Sequence, residues 1–282
     1  MEPLYLTDLD KTFLRSDLTI SDFSRKVWNE AVERGHKLSV ATARSYTGVM
    51  KLLGGLHLKE PLILLDGVMI ASPEGIILHL SALEKDLADE IIDLAHRESG
   101  LYPLLVGLEK DERERFVYPK RRNRYQEELL ATFHNDRRLV DADPLRAMDR
   151  NLKIVYLDTD EVTAGLEKAL KEEFGDLIEV KRSKDPYIDC YFLTVLHAEG
   201  DKVHALMRLE EIEGVDREHT TVFGDSHNDL GLFAAAGRRI AVANAIDELK
   251  KMADVVLPWT NDEDAVAKYI AREVLNAEEY SG

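Results

Sequence analysis

The run Leu4-Tyr5-Leu6-Thr7-Asp8-Leu9-Asp10-Lys11-Thr12 decides the fold. A short apolar stretch that leads directly into two acids has the form of a buried strand delivering carboxylates to its carboxyl end. Carboxylates this close repel, so they require a cation between them or a raised pKa on one of them. A second run of the same form lies far downstream, Thr221-Val222-Phe223-Gly224-Asp225-Ser226-His227-Asn228-Asp229. Two acid-tipped strands in one chain predict a divalent metal site.

Outward from the first run, Ser21 reads as the cap of a helix from about Asp22 to Arg34, with Phe23, Val27 and Ala31 on its apolar face and Gly35 as its stop. Lys37 to Thr42 reads as a second strand ending at a hydroxyl. A helix near residues 45–53 then leads to a third strand, Leu62 to Leu65, and a turn at Asp66-Gly67. Alternating strands and helices predict a parallel sheet with helices on its faces. Between about residues 81 and 193 the pattern changes. There we expect a helix from Leu83 to Arg97, a strand at 101–106, a charged stretch from Glu109 to Arg124, and a helix to Phe174 opened by an Asp158/Glu161 capping box. Strands follow near 178–181 and 189–193. The sheet pattern resumes with a helix at 202–211 and strands at 220–223, 240–242 and 255–257. The expected architecture is α/β: a Rossmann-like doubly wound parallel core (1–80 plus 194–282) with an inserted α+β domain (81–193).

Ligands of such a sheet bind beyond the carboxyl ends of its strands, where the winding reverses. With the first strand central, Asp8 and Asp225 meet at that point, and Thr42 ends the strand beside them. Their oxygens suit Mg²⁺, a hard cation that takes few carboxylates.

Composition narrows the function. The 282 residues carry 37 Lys and Arg against 54 Asp and Glu, a net charge of -17, which argues against a nucleic-acid partner. The start lacks a signal peptide and no apolar run approaches membrane-spanning length, so a cytoplasmic protein without a membrane partner is expected. Cys190 is the only cysteine and reads as a buried structural thiol.

Taken together, these residues resemble the haloacid dehalogenase superfamily of phosphohydrolases in its Cof-type branch. Asp8-Leu9-Asp10-Lys11-Thr12 is similar to the first motif, Thr42 to the second, Lys202 to the third, and Gly224-Asp225-Ser226-His227-Asn228-Asp229 to the fourth. Only 34 residues separate Asp8 from Thr42, but 160 separate Thr42 from Lys202, so the insert resembles the α/β cap of that branch, which chooses the substrate. The resemblance implies a Mg²⁺-dependent phosphomonoesterase acting on a small phosphorylated metabolite such as a sugar phosphate. It implies that Asp8 is the nucleophile and Asp10 the acid and base. It further implies that Asp8, Asp10 (through its carbonyl) and Asp225 hold the metal, with Asp229 orienting them. By the same resemblance Thr42 and Lys202 are expected to bind the phosphoryl oxygens, with Leu9, Ala43, Arg44 and Asn228 completing the substrate and phosphate contacts. A phosphomutase and a non-catalytic phosphometabolite-binding protein remain alternatives on the same fold.

The chain departs from the family pattern at Lys11 and Ala43, where glycine is usual; Lys11 is expected to point to solvent. His227 reads as a packing or solvating loop residue. The basic run Arg113, Arg115, Lys120, Arg121, Arg122, Arg124 reads as a solvated edge, with the alternative that part of it recognises a second anionic group.

Overall fold

The computed structural model describes residues 3–133, 135–185 and 187–276. It divides into two compact units, one formed by the chain up to Leu80 and from Asp201 onward, the other by Ser81–Gly200.

The first unit begins with β1 (Leu4–Thr7), α1 (Asp22–Glu33), β2 (Lys37–Val40), α2 (Tyr46–Leu52), β3 (Leu62–Leu64), β4 (Met69–Ala71) and β5 (Ile77–Leu80). Helix α1 starts where the Ser21 hydroxyl accepts the Ser24 amide at 2.9 Å. Its buried face is Val27, Trp28, Ala31 and Val32, one turn apart in pairs, with Phe23 only half-buried. Each large apolar side chain on that face contributes about 1.5–3 kcal/mol relative to exposure. Strands β3, β4 and β5 form an antiparallel meander, which adjoins β2 through a parallel bridge between Ala41 and Ile63.

The second unit contains β6 (Leu83–Glu84), α3 (Lys85–Ser99), β7 (Leu104–Leu108), β8 (Glu114–Pro119), α4 (Arg124–Ala131), β9 (Leu139–Ala142), β10 (Arg150–Asp158), α5 (Asp160–Phe174), β11 (Ile178–Lys184) and β12 (Tyr191–His197). Its sheet runs β11-β12-β10-β7-β8-β9, with β6 beside β10. Ile91, Ile92 and Ala95 of α3 and Leu166 and Leu170 of α5 pack with Leu105, Ile154, Tyr156, Leu193 and Val195 of the strands. The unit continues past the expected Leu193 to Gly200, because β12 keeps its antiparallel pairing with β10 and β11 through Val195 and His197 respectively. The helix to Phe174 is capped by Thr159, whose hydroxyl accepts the Val162 amide at 3.4 Å. Asp158, expected to cap it, instead accepts from Asn123 and from the Thr159 amide.

At the centre of this core the Tyr156 hydroxyl is fully buried and has no hydrogen-bond partner among the described residues. Burial without a partner drives the phenol far above its ordinary pKa. An orphaned buried hydroxyl is costly, so Tyr156→Phe should raise the unfolding free energy by about 1–2 kcal/mol in urea titrations. Cys190 is buried beside Tyr125, Leu157 and Ile188. Burial, reinforced by surrounding acids with Asp185 foremost, pushes its thiol up to about 11, so a packing role replaces reactivity.

The chain returns to the first unit with α6 (Lys202–Glu213), β13 (Thr221–Gly224), α7 (Leu230–Ala235), β14 (Arg238–Ala241), α8 (Asp247–Met252), β15 (Val255–Val256) and α9 (Ala265–Tyr269). The parallel sheet has the order β15-β14-β13-β1-β2. Tyr5 pairs with Thr221 on one side and Leu38 on the other, so β1 lies between β13 and β2, which puts the two acid-tipped strands side by side. No described helix is long and apolar enough to cross a membrane.

Candidate active site

Four chain segments end at the same edge of this sheet. Asp8 leaves β1 with its amide on the Phe223 carbonyl at 3.0 Å, and Thr42 follows β2 with its amide on Ile63 at 2.9 Å. Asp225 follows β13, and Lys202 opens α6 after Asp201, whose carboxylate caps that helix by accepting the Val203 and His204 amides at 2.8 Å. Asp8, Thr42, Lys202, Asp225 and Asp229 are all buried, at most 6% exposed.

Asp229 is folded back on its own strand end. Its Oδ2 accepts the amides of Asp225 at 3.1 Å and Ser226 at 3.2 Å, while its Oδ1 accepts from Lys202 at 2.6 Å. Gly224 makes this possible: a β-carbon there would lie 2.7 Å from Asp229 Oδ2. Lys202 Nζ also donates to Asp8 Oδ1 at 2.7 Å, and so bridges two acids that are 221 positions apart in the chain as numbered. Carboxylate oxygens of Asp8, Asp225 and Asp229 lie within 4.8 Å of one another.

Burial and mutual proximity shift the acid–base balance of these groups. Burial raises Asp8 well above the usual carboxylate range; Lys202 opposes this, and Asp229 and Asp225 add to it. Burial and then Asp229 push Asp225 up to about 6, against the Thr12 hydroxyl, which donates to its Oδ1 at 3.0 Å. Lys202 is the reverse case: burial opposes its charge, but Asp8 and Asp229 outweigh burial and hold it protonated.

Asp10 stands apart from this cluster. After Asp8 the chain makes a tight turn, Leu9–Phe13, in which Asp10 and Lys11 leave helical geometry and Lys11 takes φ 58°. Arg44 grips the Asp10 carboxylate with two nitrogens, Nε at 2.8 Å to Oδ2 and Nη2 to Oδ1. The cation that the first acidic pair demands is therefore divided in two, Lys202 for Asp8 and Arg44 for Asp10. Lys11 is exposed, its carbonyl held by Asn244 at 2.7 Å. Its left-handed backbone explains why glycine suits that position.

Of the remaining expected residues, Leu9 is fully buried as core and Ala43 is exposed. Asn228 accepts from the Ser226 hydroxyl at 2.7 Å and donates to Asp66 at 3.4 Å. His227 is largely exposed, 4.0 Å from Glu248. The basic run belongs to the other unit and is mostly spoken for. Arg113 pairs with Asp111 and Glu109, Arg115 with Glu109, Arg122 donates to the Pro119 carbonyl, and Arg124 to the Tyr125 hydroxyl. Lys120 and Arg121 carry no ion pair among the described residues. Thr12 and Asp66 were given no role from sequence, although the first belongs to the quoted motif and the second to a quoted turn.

The family model for haloacid dehalogenase-like hydrolases matches residues 5–270. Phosphatase YwpJ of Bacillus subtilis is 26% identical, over 94% of this chain and 97% of its own. The B. subtilis 5-amino-6-(5-phospho-D-ribitylamino)uracil phosphatase YitU is 24% identical, over 95% and 96%. Serratia proteamaculans HMP-PP phosphatase is 25% identical, over 93% and 92%. The crystal structure of TM0651 from Thermotoga maritima superposes with a TM-score of 0.79 at 25% identity, over 96% of this chain and 97% of that one. The chain belongs to the haloacid dehalogenase-like hydrolase family, and within it is a Cof-type phosphatase, a phosphoric monoester hydrolase.

Proposed function

We propose that this protein hydrolyses the phosphomonoester of a small metabolite, a sugar phosphate or a compound of similar size, through an aspartyl-phosphate on Asp8 and with Mg²⁺ as its cofactor. The single observation that carries the reading is the buried Asp8–Lys202–Asp229 bridge beside Asp225. An acid at a strand end is here desolvated yet held next to a fixed ammonium, which suits a nucleophile approaching a dianion.

A carboxylate oxygen of Asp8 forms a bond to phosphorus as the ester P–O bond breaks, and Asp10 gives the leaving oxygen its proton. Asp10 then takes a proton from water as that water attacks phosphorus, which releases phosphate and restores the Asp8 carboxylate. For Asp10 to serve, Arg44 must let go of its carboxylate; the phosphoryl oxygens are the anions that would take the guanidinium in exchange. Thr42 and Lys202 hold the remaining phosphoryl oxygens.

Three buried carboxylates whose oxygens converge are a hard donor set that fits a hard divalent cation. Asp8, Asp225 and the Asp10 carbonyl would hold it. Asp229, both of whose oxygens are already engaged by Lys202 and two amides, fits an orienting role better than a ligating one. When bound, Mg²⁺ supplies positive charge to the phosphoryl oxygens as they develop charge.

Substrate choice is assigned to the inserted unit. Relatives named for different esters, a phosphoribitylaminouracil and HMP-PP, match this chain about equally well, so the reaction class carries over further than the substrate. The test is phosphate release over a panel of phosphorylated metabolites, with Mg²⁺ and with a chelator. We expect release from at least one small phosphate ester and its loss on chelation. A rearranged phosphate without free phosphate would instead make the protein a mutase, and binding without turnover would make it a sensor.

A further inference from the structure

Three successive residues with positive φ close the end of β3: Leu65 at 54°, Asp66 at 64° and Gly67 at 109°. No step of the proposed reaction uses them. A buried leucine in the left-handed region persists only where its surroundings dictate it, and such strain gathers at functional sites. Here the surroundings are three loops of the active site. The Leu65 amide donates to the Arg44 carbonyl at 3.0 Å and the Asp66 amide to the Thr42 carbonyl at 2.9 Å. Gly67 lies so close to the start of α6 that a β-carbon would be 2.0 Å from the Asp201 carbonyl oxygen and 2.7 Å from the Lys202 nitrogen. The Asp66 carboxylate accepts from Asn228 Nδ2. One turn therefore abuts the segments that carry Thr42 and Arg44, Lys202, and Asn228.

We propose that Leu65-Asp66-Gly67 is the positioning element of this site, and that Asp66 is a positioning residue acting through Asn228. A side-chain amide has one acceptor oxygen and two N–H donors. The Ser226 hydroxyl takes the Asn228 oxygen and Asp66 takes one N–H, which fixes the plane of the amide. Its second N–H has no partner among the described residues and is the group left to meet a substrate oxygen. Without Asp66 only the Ser226 hydroxyl holds the amide, and the second N–H is no longer fixed toward the ligand. The inference rests on the phosphatase reading for its choice of ligand.

Asp66→Gly removes the carboxylate but keeps a residue suited to φ 64°, whereas Asp66→Asn keeps both an acceptor oxygen and tolerance of that conformation. With p-nitrophenyl phosphate and Mg²⁺, Asp66→Gly should raise KM about tenfold and change kcat by less than about threefold, the signature of lost binding at one charge-assisted hydrogen bond. Asp66→Asn should restore most of the KM. In a double-mutant cycle, Asn228→Ala should raise KM by a similar factor and the double variant no further, since the two side chains act as one unit. Additive effects, or an Asp66→Gly KM within about twofold of wild type, would overturn the proposal. Calorimetric binding of inorganic phosphate to the same four proteins reads the same cycle without turnover. A wild type that hydrolyses nothing would thus count against the phosphatase reading alone.

Discussion

Asp8→Asn should reduce phosphate release at least about 10³-fold, as loss of a covalent nucleophile does in other enzymes. The amide keeps the size of the side chain and an oxygen for Lys202, so the geometry of the bridge survives while the attacking electron pair is lost. Stability should not fall with activity. The Asp8 carboxyl is held above its ordinary range mainly by burial, which means that its charged form costs free energy in the folded state. A neutral residue there removes this cost along with part of Lys202's compensation. The thermal midpoint without metal should therefore stay level or rise. Steady-state release of phosphate and a melting curve on the same preparation check both halves, and full activity in the variant would remove Asp8 from the mechanism.

Lys202→Met should act on stability as well as on catalysis. Lys202 is 2% exposed and is the ammonium between Asp8 and Asp229, with Asp225 alongside. Removing one partner of a buried ion pair leaves uncompensated charge and costs about 3–5 kcal/mol. Urea titration without metal should report a loss of that size at neutral pH, and Mg²⁺ should return part of it by neutralising the same acids. Activity should drop about 10²–10³-fold even with Mg²⁺, because a preorganised charge beside the phosphoryl group is gone. Lys202→Arg should not rescue either property. The guanidinium is broader than the ammonium and donates in a planar fork, whereas this space holds a single nitrogen that reaches two carboxylates at 2.7 and 2.6 Å. A variant that melts and turns over like the wild type would show that the bridge contributes neither stability nor charge.

What could be read along the chain was whatever depends on near neighbours. The run from Leu4 to Asp10 announces a buried strand and its acids because alternation and burial act over a few residues. Ser21 caps α1 through an amide three positions on, well within reach of a local pattern. The failures have the opposite character. Strand β8 lies inside the stretch marked only as charged, since Arg115 finds Glu109 once β7 and β8 pair, and Glu114 finds Arg138 once β9 joins β8. Strand β12 runs past the expected Leu193 because the partners that extend it, Ile154 and Ile178, come from other strands. Thr159 displaced Asp158 as cap because Asn123, 35 positions away, claims the aspartate.

The candidate site divides along the same line. Local sequence marked out the residues that the fold gathers at one sheet edge, since acids, a hydroxyl and a lysine placed at strand and helix ends stand out by kind and position. Folding alone assigned their partners: Lys202 to Asp8 and Asp229, Arg44 to Asp10, Thr12 to Asp225, Asp66 to Asn228. An ion pair or hydrogen bond needs a few ångströms of proximity, and proximity between distant segments is a property of how the strands are ordered in the sheet, which no short stretch of chain contains.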